Sequence, residues 1–351
     1  MNWTTKQRTF GICTSISGFV VAGALAASVL AAPTLKPRVI QTNYAADNIS
    51  IIDPATDKVV GHIEGIELNH GVAVSPDAKH IYVSDEAEET LDIVDGQTLQ
   101  VTKRIPLDGH PNNIAIARDG SRVYVALLGD MGGVDAIDTK TEAVEKHIAT
   151  GSTVHNPYVT PDGKFVLAGS QTAKKVSVID AKTEEVVWEV PLGAGVRPMT
   201  MSVNPDGSTK WLFVQVTGFN GFVVVDFATH KEITRIALPA ITAGKKLISG
   251  GGEISHGMAV TKDQKTLLVN SRVNTALYAY SLPDLKLKAQ TELGGKGCGW
   301  MTLSPDRMSK VYVANTMTDD VSVVDIATMK EVALIHVGYS PKRNITAMMM
   351  Q

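Results

Sequence analysis

The chain has 351 residues, of which 44% are hydrophobic and 20% charged, and its formal net charge is −3. This composition suits a folded globular protein with a substantial core. No long block of lysine and arginine occurs, so the sequence argues against nucleic acid as a partner.

The first 32 residues differ in composition from the rest of the chain. Lys6 and Arg8 precede an uncharged, largely apolar run over residues 9–32, which ends in small residues before Pro33. This order predicts a secretory signal cleaved near residues 29–31, although the run is also long enough to remain as a membrane anchor. Its removal would take away two cations and no acids, changing the net charge from −3 to −5. We therefore expect a periplasmic or secreted protein that contacts a membrane only if this segment stays uncleaved.

The chain has two cysteines, Cys13 and Cys298, and Cys13 lies inside the predicted signal. A chain without the signal would have one cysteine and no internal disulfide. Its stability is therefore expected to come from packing.

After the signal, the sequence repeats a unit of roughly 43 residues. Apolar segments that end in a polar residue recur at Asp53, Asp95, Asp138, Asp180, Asp226, Ser281 and Asp325. Each unit also has a preceding β-branched strand, an outer strand after a polar turn, and an inner strand that ends in a turn resembling SPDG. Four short strands repeated at this spacing are typical of a propeller blade.

The two ends of the repeat predict how the ring closes. The first unit, which begins "RVIQTNY", lacks an inner strand, whereas the chain ends in an isolated inner strand, "GYSPKRNITAMMM". If the last strand completes blade one, no sheet edge is left open at the junction. We therefore predict an all-β fold, a single seven-bladed β-propeller over residues 37–351 with four-stranded blades, preceded by the signal at residues 1–32. We expect it to be a monomer.

Two stretches, "IYVSDEAEETLDIVDGQTLQVTKRIPLDGHP" and "VYVANTMTDDVSVVDIATMKEVALIHVG", resemble the YVTN-repeat β-propellers, and the resemblance extends over about residues 37–350. It implies an exported propeller. Relatives of this kind include surface-layer and adhesion modules, partners of quinone and haem dehydrogenases, and some lactonases and lyases. The resemblance therefore implies a fold and no particular reaction.

Short motifs with a known mechanism are absent from the sequence. There is no CxxCH haem motif, P-loop, GxSxG elbow, HExxH pair or EF-hand loop. The sequence consequently leaves open whether the protein is an enzyme.

Three histidines recur at one position of the repeat. His70, His155 and His256 each stand seven residues before an aspartate, at the start of the inner strand in blades two, four and six. Alternate blades of a seven-fold ring are about 103° apart, so the three side chains are expected to converge on one mouth of the central channel. The outer-strand histidines His62 and His147, by contrast, are expected to face solvent, as is His336.

Three readings of the converging histidines remain open. Neutral imidazoles around an open position would suit copper or zinc, with His70, His155 and His256 as the ligands. Without a metal, they could bind an anionic ligand while protonated, or take part in catalysis. They could also have only a structural role, bonded to neighbouring backbone.

Other polar side chains are expected around the same mouth, and the predicted ligand-binding set adds these five to the three histidines: His110, Arg197, Glu253, Lys342 and Arg343. Glu253 belongs to the longest connector between blades, residues 239–255, and extended loops over a rigid scaffold often carry function. Cys298 is expected to be a small buried residue rather than a nucleophile.

The sequence therefore favours an exported binding module whose His-lined channel mouth takes a small-molecule ligand, a metal ion or a periplasmic protein partner. The alternative is an enzyme with the same central site, either a copper- or zinc-dependent oxidoreductase or a lyase or lactonase. An adhesion module tethered by an uncleaved signal is a third hypothesis.

Overall fold

The computed structural model describes residues 1–5, 7, 9, 11, 34–129, 132–239 and 254–351. The chain divides into two units, Met1–Pro33 and Thr34–Gln351. Most of the predicted signal at residues 1–32 lies outside the described residues. Within the described part of the chain, no helix is long and apolar enough to cross a membrane.

In the second unit, the described residues form 28 strands, arranged as seven four-stranded antiparallel sheets. The first three strands are β1 (Leu35–Asn43), β2 (Asn48–Asp53) and β3 (Lys58–Glu64). Blade two contains β4 (Asn69–Val74), β5 (His80–Asp85), β6 (Thr90–Asp95) and β7 (Val101–Pro106). Blade three contains β8 (His110–Ile116), β9 (Arg122–Leu128), β10 (Gly133–Asp138) and β11 (Ala143–Ala149). Blade four contains β12 (Asn156–Val159), β13 (Phe165–Ser170), β14 (Lys175–Asp180) and β15 (Glu185–Pro191).

The remaining blades repeat this arrangement. Blade five contains β16 (Val196–Val203), β17 (Thr209–Val216), β18 (Gly221–Asp226) and β19 (Lys231–Ala237). Blade six contains β20 (Ser255–Val260), β21 (Thr266–Ser271), β22 (Ala276–Ser281) and β23 (Leu287–Glu292). Blade seven contains β24 (Cys298–Leu303), β25 (Lys310–Asn315), β26 (Asp320–Asp325) and β27 (Lys330–His336). The last strand is β28 (Pro341–Met350).

The ring closes as the sequence predicts. Strand β28 pairs antiparallel with β1, from Leu35 opposite Met350 to Asn43 opposite Pro341, so blade one has the order β28-β1-β2-β3. The all-β class, the seven blades and the closure by the C-terminal strand are thereby confirmed. The propeller strands begin at Leu35 rather than residue 37, because Leu35 and Lys36 pair with the end of β28.

The hydrophobic core consists of seven clusters, one between each pair of adjacent blades. The cluster between blades seven and one includes Tyr312 and Val39, so the junction is packed as well as hydrogen-bonded. Across the same junction, the Tyr312 hydroxyl donates to Oδ1 of Asp57 at 2.7 Å. Middle strands such as β18 are buried on both faces, whereas outer strands such as β19 are mostly exposed. This packing holds the start of every inner strand near the channel axis.

Candidate functional site

Seven residues at one register position of the innermost strands surround one end of the channel. In blade two, His70 lies in a bulge of β4 between the paired residues Asn69 and Val72. The same bulge occurs in blades five and six, where Arg197 and His256 take the position of His70. In blades one to seven, the residues at this position are Lys342, His70, Asn112, His155, Arg197, His256 and Gly299.

The bulge requires glycine after two of the histidines. A Cβ on Gly71 would lie 2.6 Å from the backbone nitrogen of Ile114, and a Cβ on Gly257 would lie 2.4 Å from the carbonyl oxygen of Gly299. Adjacent inner strands therefore approach each other so closely at these positions that no side chain fits. This close approach fixes the backbone directly beside His70 and His256.

His70 and His155 are both buried and their rings are in contact. The ring centroids are 6.5 Å apart with the planes at 88°. Burial lowers the pKa of His70, despite the opposing effect of a neighbouring carboxylate, and Lys342 lowers it further. Burial also holds the pKa of His155 well below 6.5, and the nearby His70, Arg197 and Lys342 act in the same direction. Both imidazoles are therefore neutral near pH 7, and the hypothesis that they bind an anion while protonated does not hold for them.

His256 completes the group of three. Its side chain is buried, and its ring meets that of Trp300 edge to face with centroids 4.7 Å apart. Burial holds its pKa well below 6.5, and Arg272 and His155 lower it further. Its Nδ1 atom is buried and has no hydrogen-bond partner among the described residues. A buried polar atom without a partner is uncommon in a native fold and points to a ligand or water at this position.

A buried carboxylate lies directly behind His70. Oε1 of Glu86 is 2.5 Å from Nδ1 of His70 and accepts a hydrogen bond from Nδ2 of Asn112 at 2.9 Å. Oε2 accepts from the Tyr44 hydroxyl at 2.9 Å and lies 3.3 Å from Nε2 of His110. Burial alone would raise the pKa of Glu86, but the bonds from His70 and Tyr44 outweigh it and the pKa is lowered. Glu86 is therefore ionised.

Two cationic side chains of β28 lie against aromatic rings near the histidines. Nζ of Lys342 is 5.0 Å from the centre of the Tyr44 ring. Cζ of Arg343 is 4.6 Å from the centre of Trp300 and 5.4 Å from that of Tyr158. Nη1 of Arg343 donates to the Tyr158 hydroxyl at 3.5 Å, and its buried Nε has no partner within the described ranges. The guanidinium of Arg343 thus retains a donor for a ligand.

A cavity of about 420 Å³ adjoins this cluster. It lies along the innermost strands of blades four, five, six, seven and one, and its lining includes Tyr158, Trp300 and Arg343. This volume is within the range of small-molecule sites. Trp300 and Arg343 connect the cavity to the histidine cluster.

The structure brings six of the eight predicted ligand-binding residues to one channel mouth: His70, His155, Arg197, His256, Lys342 and Arg343. His110 lies one step outward, where its side chain is 39% exposed and contacts the far side of Glu86. Glu253 lies outside the described residues. Buried Cys298 donates from Sγ to the carbonyl oxygen of Ser271 at 3.1 Å, and burial raises its pKa to about 12. A thiol in this state is a poor nucleophile.

Sequence reasoning missed Tyr44, Glu86 and Arg272, although all three occupy one position of the repeat. Each directly follows the second strand of its blade, namely β1, β5 and β21. A comparison of this position across the blades would have revealed a tyrosine, a glutamate and an arginine at the same mouth as the histidines.

The channel histidines are not gathered as closely as a preformed metal site. Among the described residues, only Asp108, Asp135 and His147 have three potential ligand atoms within 4.8 Å of one another. His147, which is expected from the sequence to face solvent, is only 24% exposed, and its Nδ1 lies 2.8 Å from Oδ1 of buried Asp135. Blade two has an ion pair in the same register, Arg104 with Asp92. The contact between His147 and Asp135 in blade three is therefore explained without a metal, because a buried aspartate needs a hydrogen-bond donor.

Comparisons with known proteins agree with the fold. A family model described as YNCE-like beta-propeller matches residues 19–303. Antigen Lp49 of Leptospira interrogans is 25% identical over 187 residues, which are 47% of this chain and 40% of that protein. The seven-bladed beta-propeller protein Rv1057 of Mycobacterium tuberculosis is 26% identical over 268 residues, which are 65% of this chain and 68% of that protein. The match to Lp49 thus spans less than half of that relative's length.

Two solved structures superpose on most of the chain. Hydrazine synthase of Kuenenia stuttgartiensis matches with a TM-score of 0.71 and 23% identity, over 82% of this chain and 92% of that chain. The periplasmic gluconolactonase PpgL of Pseudomonas aeruginosa matches with a TM-score of 0.70 and 19% identity, over 90% of this chain and 99% of that chain. At these identities the likeness shows the fold alone.

Proposed function

The chain belongs to the YNCE-like beta-propeller family, and on that premise we propose that it is an exported module that binds a small organic carboxylate at the His-lined mouth of its channel. The observation that carries the proposal is the unpartnered Nε of Arg343, which lines a cavity of about 420 Å³. The unpartnered Nδ1 of His256 supports it, because the ring of His256 meets Trp300 of the same lining. Both atoms can donate a hydrogen bond to an anionic oxygen.

The charges at this mouth favour an anion. Arg197, Arg272 and Lys342 each lower the pKa of His256, which places their positive charge close to the imidazole. A carboxylate would be attracted by these cations, and the neutral imidazoles would donate hydrogen bonds without adding a charge of their own. Trp300 and Tyr158 supply an apolar wall for the carbon skeleton of the ligand.

The same charges disfavour the copper or zinc hypothesis, and with it the metal-dependent oxidoreductase. A divalent cation between His155 and His256 would meet the positive charges of Arg197 and Lys342, which act on both rings. Metal analysis of protein purified without a histidine tag is the direct test, and stoichiometric copper or zinc would support the metal hypothesis instead.

Export is proposed from the N-terminal sequence. Lys6 and Arg8, the apolar run and the small residues before Pro33 are the three parts of a secretory signal. Cell fractionation and the mass of the isolated chain would show whether the protein leaves the cytoplasm and whether residues 1–32 are removed.

Calorimetric titration of the full chain with mono-, di- and tricarboxylates, each compared with its uncharged amide, tests the binding function. We expect at least one carboxylate to bind and its amide to bind far more weakly. The variant Arg343→Met should weaken that binding at least tenfold, because a hydrogen bond to a charged group contributes about 1.5–3 kcal/mol.

Arg118→Met is the matched control, because Arg118 is an exposed arginine in the turn after β8. It should leave the affinity unchanged. If no carboxylate binds, or if amides bind as tightly as acids, the proposed function is wrong.

A further inference from the structure

The cavity beside Arg343 continues toward the opposite end of the channel. Its lining follows β24 from Trp300 and reaches Ser304 and Arg307 in the turn after this strand. It also follows β28 from Arg343 to Thr346. A strand rises about 3.3 Å per residue, so the four steps from Trp300 to Ser304 correspond to about 13 Å along the channel. The cavity is therefore elongated, with one arginine at each end.

The side chain of Arg307 has no hydrogen bond or ion pair within the described part of the chain. Partial burial lowers its pKa, and the positive charge of Arg118 lowers it further. The neighbouring acid, Asp306, instead accepts hydrogen bonds from the Ser304 hydroxyl and the backbone amide of Met308. Arg307 is therefore a cation at the edge of a cavity, and no described carboxylate pairs with it.

The turn itself does not require an arginine at this position. The equivalent residue of the turns after β8, β12 and β16 is glycine, namely Gly120, Gly163 and Gly207, and each has a positive φ. Arg307 has a φ of 56°, a conformation that glycine adopts more readily than residues with a Cβ. Its side chain is therefore better explained by its place in the cavity than by the turn.

The wall between the two arginines is uncharged. Arg307 and Arg343 are the charged side chains of the described lining, which contains no acid. Met301 and Ile345 supply carbon surface between them, and Thr302 supplies a hydroxyl group. A ligand that fills this space would carry negative charge at its two ends and have an uncharged middle.

From this arrangement we propose that the ligand is an elongated α,ω-dicarboxylate, with one carboxylate at Arg343 and the other at Arg307. The proposal rests on the binding function above, because the first carboxylate occupies the site already proposed for it. It adds a second anchoring residue and a defined length. A guanidinium matches a carboxylate through paired N–H donors, and the second contact forms within a complex that the first already holds together.

Calorimetry of the full chain with succinate, adipate, suberate and sebacate tests the length. Each diacid is compared with its half-amide, which keeps the length of the ligand and loses one charge. We expect suberate or sebacate to bind at least tenfold more tightly than its half-amide, because a hydrogen bond to a charged group is lost with that charge. Succinate is too short to reach both arginines, and its affinity should not exceed that of the longer half-amides.

Variants of Arg307 test the second anchor. Arg307→Met should bring the affinities of the long diacid and its half-amide within twofold of each other, and it should leave binding of the half-amide unchanged, because Arg343 still holds one carboxylate. Arg307→Lys keeps the charge and should retain part of the preference for the diacid. Arg118→Met is the matched control, because it removes an exposed charge from the equivalent turn of blade three that does not line the cavity. Salt screens such a charge, so the preference should be unchanged.

The outcomes separate this proposal from the binding function. If the long diacids and their half-amides bind equally, or if Arg307→Met and Arg118→Met change the preference by the same factor, the two-ended ligand is wrong and the carboxylate-binding function stands. If no carboxylate of any length binds, the binding function fails and this proposal fails with it.

Discussion

The imidazoles of His70 and His155 meet edge to face across the channel mouth, with centroids 6.5 Å apart, although the two residues lie on blades two and four. Two buried imidazoles at this distance cannot both carry a charge without strong repulsion. The cluster is therefore stable only while its rings are neutral, and this condition makes it sensitive to acid.

The first prediction concerns the stability of the protein at acid pH. The pKa of His155 is lowered in the folded state, so below about pH 6.5 the unfolded chain binds a proton that the folded chain does not. Stability is therefore complete above pH 6.5 and falls as the pH decreases toward the lowered value. Between pH 7.5 and 5.5, His155→Asn should lose about 1 kcal/mol less of its free energy of unfolding than the wild type does.

Urea unfolding at the two pH values measures this difference. His62→Asn, at an exposed position of β3, should lose as much as the wild type. If His155→Asn and the wild type lose the same free energy, His155 is not held neutral by the fold.

The second prediction concerns ligand binding by His256. His256→Ala removes a ring that is buried against Trp300 and a nitrogen that has no described partner. We expect it to weaken carboxylate binding in calorimetry while circular dichroism shows the fold retained. His336→Ala, on the exposed end of β27, should change neither property. Equal affinities for the two variants would contradict a ligand-binding role for His256.

The third prediction concerns Gly257, the residue that follows His256. In Gly257→Ala, the new Cβ would lie 2.4 Å from the carbonyl oxygen of Gly299, which belongs to the backbone of the next blade. Such overpacking costs about 1–3 kcal/mol, and thermal unfolding should show the loss. Gly61→Ala is the control, because its Cβ would meet only Ile51 Cδ1 at 3.9 Å. A melting temperature of Gly257→Ala equal to that of the control would contradict the close approach.

The fourth prediction concerns ring closure. Deletion of residues 339–351 removes β28, exposes the edge of β1 and takes Met349 out of the core between blades one and two. We expect the truncated protein to lose cooperative thermal unfolding or to aggregate. Deletion of residues 1–32 should leave the unfolding of the propeller unchanged. If the protein without residues 339–351 melts like the full chain, the C-terminal strand does not close the ring.

The fifth prediction concerns Cys298. Because burial raises its pKa to about 12, the thiol should stay unreactive toward a disulfide reagent at pH 8 in the folded protein. In a chain with Cys13→Ser, Cys298 is the one thiol that can react, so any reaction with the reagent comes from Cys298. The thiol should react only after urea unfolds the protein, and rapid reaction under native conditions would show that Cys298 is accessible.

The sequence by itself determined the seven blades, the strand that closes the ring and the register shared by His70, His155 and His256. These features are periodic, because every blade repeats the same local alternation of buried and exposed residues and the same turns. A residue's place in the repeat therefore predicts its strand and its height in the channel.

Only the tertiary structure decided which side chains meet at the channel mouth. Glu86 and Arg272 belong to loops after different strands, and Trp300 reaches His256 from the neighbouring blade. Such contacts depend on distances between blades and on side-chain direction, neither of which a repeat pattern encodes. His147 shows the same limit. Its position on an outer strand predicted that it would be exposed, but buried Asp135 lies opposite it on β10 and contacts its ring.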